Sequence, residues 1–257
     1  MWLMERGEEL PLVGRAEELA FLTKAITERG GAVVGGAAGV GKTRLAREVS
    51  AALPDWQVSW ATATPAARDL PLGGVAGLGL ADEETRFHGR AGLLSQLTVI
   101  LTRRSGGQPV LVVIDDAHLL DGLSAALVHH LSTSGAAAVL VTMRAGEQPP
   151  SDVVSLYKDG PLPRLELEPL GQQDFATLAS AALGGEIEAG TLHRLWCETA
   201  GNVLFLRELV ADAVEAGTIA RLDGVWRWAP DGRVGPRLAE LVADRMGRLE
   251  GDQKSVV

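Results

Sequence analysis

A chain of 257 residues, 46% apolar and 22% charged, is long and apolar enough to bury one large core or two modest ones, which excludes a disordered segment. Its formal charge of −9 argues against binding DNA or RNA through the overall field of these residues, because neutralising phosphates needs a basic face. The single cysteine, Cys197, excludes an internal disulfide, and no window approaches the roughly 20 apolar residues that a membrane span requires. The N-terminus MWLMERGEEL has neither a basic head nor an apolar run, so the expectation is a soluble, cytoplasmic protein with no membrane partner. Cys197, between Trp196 and Glu198, is expected to be a small buried apolar residue.

Five short apolar runs read as strands: GAVVG (31–35), WQVSWATA (56–63), PVLVVID (109–115), AAAVLVTMR (136–144) and PRLELEPL (163–170). Three are nearly continuous in apolar residues, as strands covered on both faces are. Helix-period segments alternate with them at Thr43–Leu53, Arg90–Thr102, Ser124–Ser132 and, more weakly, Val153–Tyr157. Strand–helix alternation predicts an α/β fold with a five-stranded parallel sheet. After Pro169 the pattern turns helical, with helices at Asp174–Leu183, stopped by Gly184-Gly185, at Thr191–Thr199 and at Asn202–Ala216. Asp223-Gly224 inside TIARLDGVWRW predicts a β-hairpin. Leu238–Leu249 reads as a last amphipathic helix, and QKSVV as the start of an element that is cut short, so the sequence is expected to be a fragment of a longer protein.

Between the first strand and the helix after it, Gly36-Ala37-Ala38-Gly39-Val40-Gly41-Lys42-Thr43 satisfies G-x-x-x-x-G-K-[ST]. Glycines let the backbone wrap until successive N–H groups converge on phosphate oxygens, and the helix starting near Lys42 adds its positive N-terminal dipole. Lys42 brings a full charge to β- and γ-phosphates, and the Thr43 hydroxyl is placed to ligate Mg²⁺. The expected cofactor contacts here are Gly36, Ala38, Gly39, Val40, Gly41, Lys42, Thr43 and Arg44.

LVVIDDAHLLD (111–121) is an apolar strand ending in paired acids. Asp115 stands at the carboxyl end, where ligands collect in open α/β sheets, and is expected to hold Mg²⁺ directly or through water. Asp116 is the candidate to orient or deprotonate an attacking water. The competing reading makes both acids caps of the next helix, but Asp121, just before Gly122, is better placed for that. VLVTMR (139–144) ends in Thr142 and Arg144. If that strand neighbours the phosphate-loop strand, the Arg144 fork would reach the γ-phosphate and report its presence; otherwise it is a solvated strand end. Lys42, Asp116 and Arg144 are therefore the catalytic candidates. His118, His129 and His130 lack metal-ligand spacing with the cysteine and are expected at the surface or capping helices. Arg103-Arg104 reads as a solvated helix end, with an arginine finger toward a neighbouring subunit as the alternative, and Trp226 and Trp228 as hairpin packing.

As a set, these segments resemble the ATP-binding domain of the large LuxR-type bacterial transcription regulators, which belong to the STAND class of signal-transduction ATPases within the AAA+ group. LVGRAEELAFL (12–22) resembles the opening motif of that family, GAAGVGKTRLARE its phosphate loop, VVIDDAHLLD its metal strand, VTMR its sensor strand and GNVLFLREL (201–209) the start of its lid helix. Carried over, Val13 and Arg15 would contact the base and Arg144 would be the sensor. The family usually has proline where Val203 stands here, and often tryptophan at the position of Leu119.

The resemblance covers residues 12 to about 250 and implies a P-loop NTPase. It implies a nucleotide-binding domain over 1–169, a helical lid over 170–217, and a hairpin with the start of a winged-helix-like segment over 218–257. The implied function is a switch that binds ATP or ADP with Mg²⁺, hydrolyses slowly, and controls self-association and DNA binding through a C-terminal domain that is not among these residues. A turnover ATPase and a scaffold locked by structural ADP are the rival readings.

Overall fold

The computed structural model describes residues 10–80 and 89–228. The helix expected over 238–249, the QKSVV element and the winged-helix-like start lie outside the described residues. Two compact units divide the chain: residues 15–168, and residues from 169 onward together with the segment that ends at Gly14.

The first unit holds a five-stranded parallel sheet. Its strands are β1 (Gly31–Gly35), β2 (Gln57–Thr62), β3 (Val110–Asp115), β4 (Ala138–Thr142) and β5 (Arg164–Glu166), in the spatial order β2-β3-β4-β1-β5. The α/β expectation is met, with strands somewhat shorter than the apolar runs. The helices of this unit are α1 (Ala16–Arg29), α2 (Lys42–Ala51), α3 (Gly89–Arg104), α4 (Gly122–Thr133) and α5 (Ser151–Lys158). Every residue of β1, β3 and β4 is buried. Period-two alternation splits them between faces: Val33, Val112, Ile114, Val139 and Val141 join a core with Leu97 of α3, Leu127 and Leu131 of α4, and Val153 and Leu156 of α5. Side chains of opposite parity, such as Val34, Leu111, Val113 and Leu140, are also 0% exposed, as are Leu22 of α1 and Leu45 of α2. That double coverage is why these strands read as unbroken apolar runs.

Helix α1 has no counterpart among the sequence-predicted elements. It buries only Leu22, Ala25 and Ile26, so its apolar stripe is narrow. Between β2 and α3 the chain makes two 3₁₀ turns, Pro65–Ala67 and Gly73–Leu78.

The second unit contains α6 (Gln172–Leu183), α7 (Ala189–Thr199), α8 (Val203–Glu215) and a hairpin of β6 (Ile219–Leu222) and β7 (Val225–Trp228). Its core gathers Phe175, Leu178, Leu195, Leu206, Leu209 and Val210, with Phe175 edge-on to Trp196 at 5.2 Å. Gly184 ends α6 at φ 66°, its N–H bonded to Ala181 O and that of Gly185 to Ser180 O. The hairpin turns at Asp223 and Gly224, φ 51° and 85°, the two positive angles a type I′ turn requires. Trp226 is buried and Trp228 half-buried in this unit, as hairpin packing predicts. Cys197 corrects its expectation: it is exposed, 3.5 Å from the His193 ring. Helix α7 buries Thr191, Leu195 and Thr199, and position 197 lies on its opposite side. None of the described helices is long and apolar enough to cross a membrane.

Candidate functional site

The sheet is parallel, so β1, β3 and β4 deliver their carboxyl ends to one edge. The chain leaves β1 at Gly35 and returns as α2 at Lys42. Within that loop Gly36 has φ 149°, and a Cβ built there would lie 2.6 Å from the Leu167 carbonyl oxygen, so only glycine lets the loop pass beside β5. Gly41 has φ 104° and opens α2, whose first-turn N–H groups have no intrahelical acceptor. Val40 anchors the loop by burial, while Ala38 is exposed.

Lys42 folds over this loop. Its Nζ donates to Gly36 O at 2.9 Å and to Ala37 O at 2.8 Å. Burial pushes the ammonium pKa down; Asp116 opposes that shift, Arg144 reinforces it, and Asp115 and Glu166 oppose it more weakly. The charges of Asp116, Asp115 and Glu166 thus offset part of the cost of burying this cation.

Thr43, one residue on, donates its hydroxyl to Asp115 at 2.9 Å (Oδ2) and 3.0 Å (Oδ1). Asp115 ends β3 and is buried. A second hydroxyl, from Thr142 at the end of β4, donates to Asp115 Oδ1 at 2.5 Å. The Thr142 oxygen in turn accepts the Asp116 N–H at 3.0 Å. Thr142 is a residue whose part the sequence reading did not assign; the signal was a hydroxyl closing an otherwise apolar strand.

Asp116 leaves the sheet in the left-handed region, φ 56°. Its Oδ1 lies 3.6 Å from Arg144 Nε and 3.8 Å from His118 Nδ1. The condition set for Arg144 is met, since β4 pairs directly with β1 and Arg144 follows it by two residues. His118 corrects the expectation of a surface or capping histidine: it is 3% exposed, within the 3₁₀ turn Ala117–Leu119. Burial lowers its pKa, Asp116 raises it, and Arg144 lowers it again. Its buried Nδ1 has no hydrogen-bond partner.

Asp121 does cap α4, accepting the N–H groups of Leu123 and Ser124 and the Ser124 hydroxyl. It also accepts from Leu72 N and Gly74 N, both at 3.1 Å, tying the segment after β2 to the start of α4.

The remaining candidates make contacts of their own. Arg15 stands at the N-cap position of α1 without a side-chain cap bond, its guanidinium donating to Glu18 Oε1 at 2.8 Å and to the Glu168 carbonyl at 2.5 Å. Val13 packs on the core of the other unit. Arg44 pairs with Glu48 at 2.6 Å, one turn along α2. Arg103 is exposed, and Arg104 donates to Gly79 O at 2.8 Å. His129 and His130 are half-buried on α4.

The chemistry of the donor set suits a polyphosphate. A glycine-shaped loop feeds a helix N-terminus, an ammonium lies across it, and a hydroxyl–carboxylate pair sits beside it. No three His, Cys, Asp or Glu side chains converge as a metal cage among the described residues. The Thr43 hydroxyl and the Asp115 carboxylate are an oxygen pair of the kind Mg²⁺ takes beside phosphates and waters.

The family described as AAA ATPase domain matches residues 11–142. The fold is shared with the ORC1 protein of Aeropyrum pernix in complex with DNA, at TM-score 0.57 and 15% identity over 81% of this chain and 61% of that one. Domain III of the Thermotoga maritima replication initiation protein DnaA matches at TM-score 0.51 and 18% identity, over 81% of this chain and 86% of that one. A STAND protein with a tetratricopeptide repeat sensor from Pyrococcus horikoshii matches at TM-score 0.51 and 19% identity, over 77% of this chain but 29% of that one. The chain thus spans about three fifths of the ORC1 chain and under a third of the STAND chain. No curated protein matches it.

Proposed function

We propose that this chain, which belongs to the AAA ATPase domain family, is the nucleotide switch of a LuxR-type transcription regulator of the STAND class. It binds ATP or ADP with Mg²⁺, hydrolyses slowly, and through the difference between the two nucleotides controls self-association and DNA binding by a C-terminal domain that these residues do not include. The observation that carries the reading is the continuous chain from the phosphate loop through Lys42, Thr43 and Asp115 to Thr142, Asp116 and Arg144. Three strand ends thereby bring Lys42, the Thr43–Asp115 pair and Arg144 to one edge of the sheet, which supports reading them as the phosphate cation, the metal pair and the γ-phosphate sensor.

In this reading the loop amides from Gly36 to Thr43, with Arg44, hold the phosphates, and Lys42 neutralises them. Thr43 and Asp115 hold Mg²⁺, which withdraws charge from the β- and γ-oxygens when bound. Asp116 orients the attacking water. Arg144 recognises the γ-phosphate, and Val13 and Arg15 border the base. Residues 170–217 act as the lid, and the hairpin from 218 on opens a winged-helix-like segment. A switch works only if ATP and ADP bind its two states with different affinity. Arg144 is the residue here that can supply such a difference, since its partner would be the phosphate that hydrolysis removes.

The test is calorimetric titration of the purified chain with ATP and with ADP, each with Mg²⁺, beside a Lys42→Ala variant. Binding by the wild type and its loss in the variant support the proposal. Equal binding by both, or none by the wild type, overturns it.

A further inference from the structure

His118 is conspicuous because the proposed mechanism leaves it unused. It is a polar ring buried to 3% exposure beside the candidate phosphate site, and its inner nitrogen, Nδ1, bonds to nothing. With the ring proton on Nδ1, a buried N–H without an acceptor is unfavourable, so a conformation that supplies an acceptor would be favoured. The nearby acceptor is Asp116 Oδ1 at 3.8 Å, outside bonding range. The same oxygen lies 3.6 Å from Arg144 Nε, again too far for a good hydrogen bond. Asp116 therefore stands between two donors and is fully engaged by neither.

The two donors differ in freedom. Arg144 is about one-third exposed, on the segment that leaves β4, whereas His118 is enclosed in a 3₁₀ turn. The Asp116 main chain is pinned by its N–H bond to Thr142, in a left-handed conformation that only a local constraint holds in a non-glycine residue. Its side chain is the part left to move.

Resting on the nucleotide-switch reading, we infer that His118 is the positioning residue for Asp116: the carboxylate exchanges Arg144 for the Nδ1–H of His118 when Arg144 turns to a γ-phosphate. One small rotation then does two things. It frees the guanidinium for phosphate, and it locks the water-orienting carboxylate with a hydrogen bond to an immobile donor. The lowered pKa of His118 keeps the ring neutral, so the exchange places a donor at Nδ1 without burying a second cation near Lys42 and Arg144. ADP, lacking the γ-phosphate, leaves Arg144 with Asp116. The carboxylate's choice of partner thereby distinguishes the nucleotides.

The test uses the full chain and two readouts. Side-chain ¹H–¹⁵N spectra of histidine-labelled protein report whether His118 Nδ1 carries a hydrogen-bonded proton. It should do so with Mg²⁺ and β,γ-imido-ATP and also, with no nucleotide, in Arg144→Ala; it should not with Mg-ADP. An Nδ1 that stays unbonded in both of the first two samples overturns the inference. In the second readout, His118→Asn, whose amide nitrogen can stand where Nδ1 stands, should keep kcat for ATP hydrolysis within about threefold. His118→Leu should lose about tenfold in kcat with KM little changed, since it leaves the water-orienting carboxylate unheld in the ATP-bound state without removing a contact to the nucleotide. Equal losses in the two variants, or none in either, would show His118 to be packing alone. Should wild type and Lys42→Ala both fail to bind nucleotide, the switch reading falls, while the Arg144→Ala spectrum still decides the exchange.

Discussion

Thr43 and Asp115 stand 72 residues apart in sequence, yet the Thr43 hydroxyl lies within 3.0 Å of both carboxylate oxygens of Asp115. A helix N-terminus and a strand C-terminus are thereby joined by the two side chains proposed to share a metal. Replacing Asp115 with Asn keeps the size and an acceptor but removes the charge. Binding of Mg-ATP should weaken by about tenfold or more, roughly 1.4 kcal/mol, whereas ADP binding in EDTA should stay within about threefold. Titration calorimetry in the two buffers checks this; equal weakening in both would assign Asp115 to architecture rather than to the metal.

Asp121 ties two segments together and makes stability depend on acid. Burial raises its pKa, but the hydrogen bonds from Ser124, Gly74 and Leu72 outweigh that and leave it below the ordinary 3.8. A carboxyl depressed in the folded state contributes stability that is fully present above 3.8 and is lost as pH falls through the lower folded value. Asp121→Ala removes a helix cap and strands two loop N–H groups, which should lower unfolding free energy at neutral pH by roughly 2–4 kcal/mol. Urea unfolding from pH 7 to pH 3 should show the wild-type advantage shrinking only at the acid end.

The sequence announced the sheet because its central strands are covered on both faces, and it announced the phosphate loop because glycine, lysine and threonine have few other reasons to stand at that spacing. The place of Asp115 at the end of β3 was readable too, as a charge ending an apolar run. What stayed hidden depended on direction rather than composition. Whether His118 faces solvent or core is set by the left-handed turn at Asp116, a conformation that aspartate adopts only in context. Helix α1 was missed because its buried stripe is three residues wide. The Leu72–Gly74 anchor on Asp121 joins residues with no shared period. Cys197 misled because residue type was weighed and its angular position on α7 was not.

Val203, where the resembled family has proline, is the first residue of α8, and Asn202 caps the helix by accepting from Leu204 N and Phe205 N. A first-turn position tolerates proline, and Asn202 has the extended conformation, φ −77° and ψ 121°, that a residue before proline adopts. Val203→Pro should therefore raise stability by about 0.4–1 kcal/mol, mainly by restricting the unfolded chain, provided the half-buried valine side chain is replaced without loss of packing. A lower denaturant midpoint would show that this packing matters more than backbone entropy.

Thr142 offers a test in which shape is kept and chemistry is removed. Its hydroxyl is donor to Asp115 and acceptor from the Asp116 N–H, and the residue is 0% exposed. Valine has nearly the same outline, so Thr142→Val leaves β4 packed in register while the Asp116 N–H loses its acceptor and Asp115 loses a donor. One buried amide left unpaired costs about 1–3 kcal/mol, and that destabilisation should appear with or without ligand. The larger consequence is positional. With the tie to Thr142 gone, the Asp116 main chain in its left-handed turn keeps only the Leu119 N–H on its carbonyl, at 2.9 Å, and its own N–H is left without the acceptor that fixed it to β4. Under the proposed function, hydrolysis should then fall further than nucleotide binding, because in that reading binding draws on Lys42 and the loop while turnover draws on the placement of Asp116. Parallel measurement of unfolding midpoint, Mg-ADP affinity and steady-state phosphate release separates the two. A loss of affinity as large as the loss of turnover would mean that Thr142 acts through Asp115 and the metal, not through Asp116.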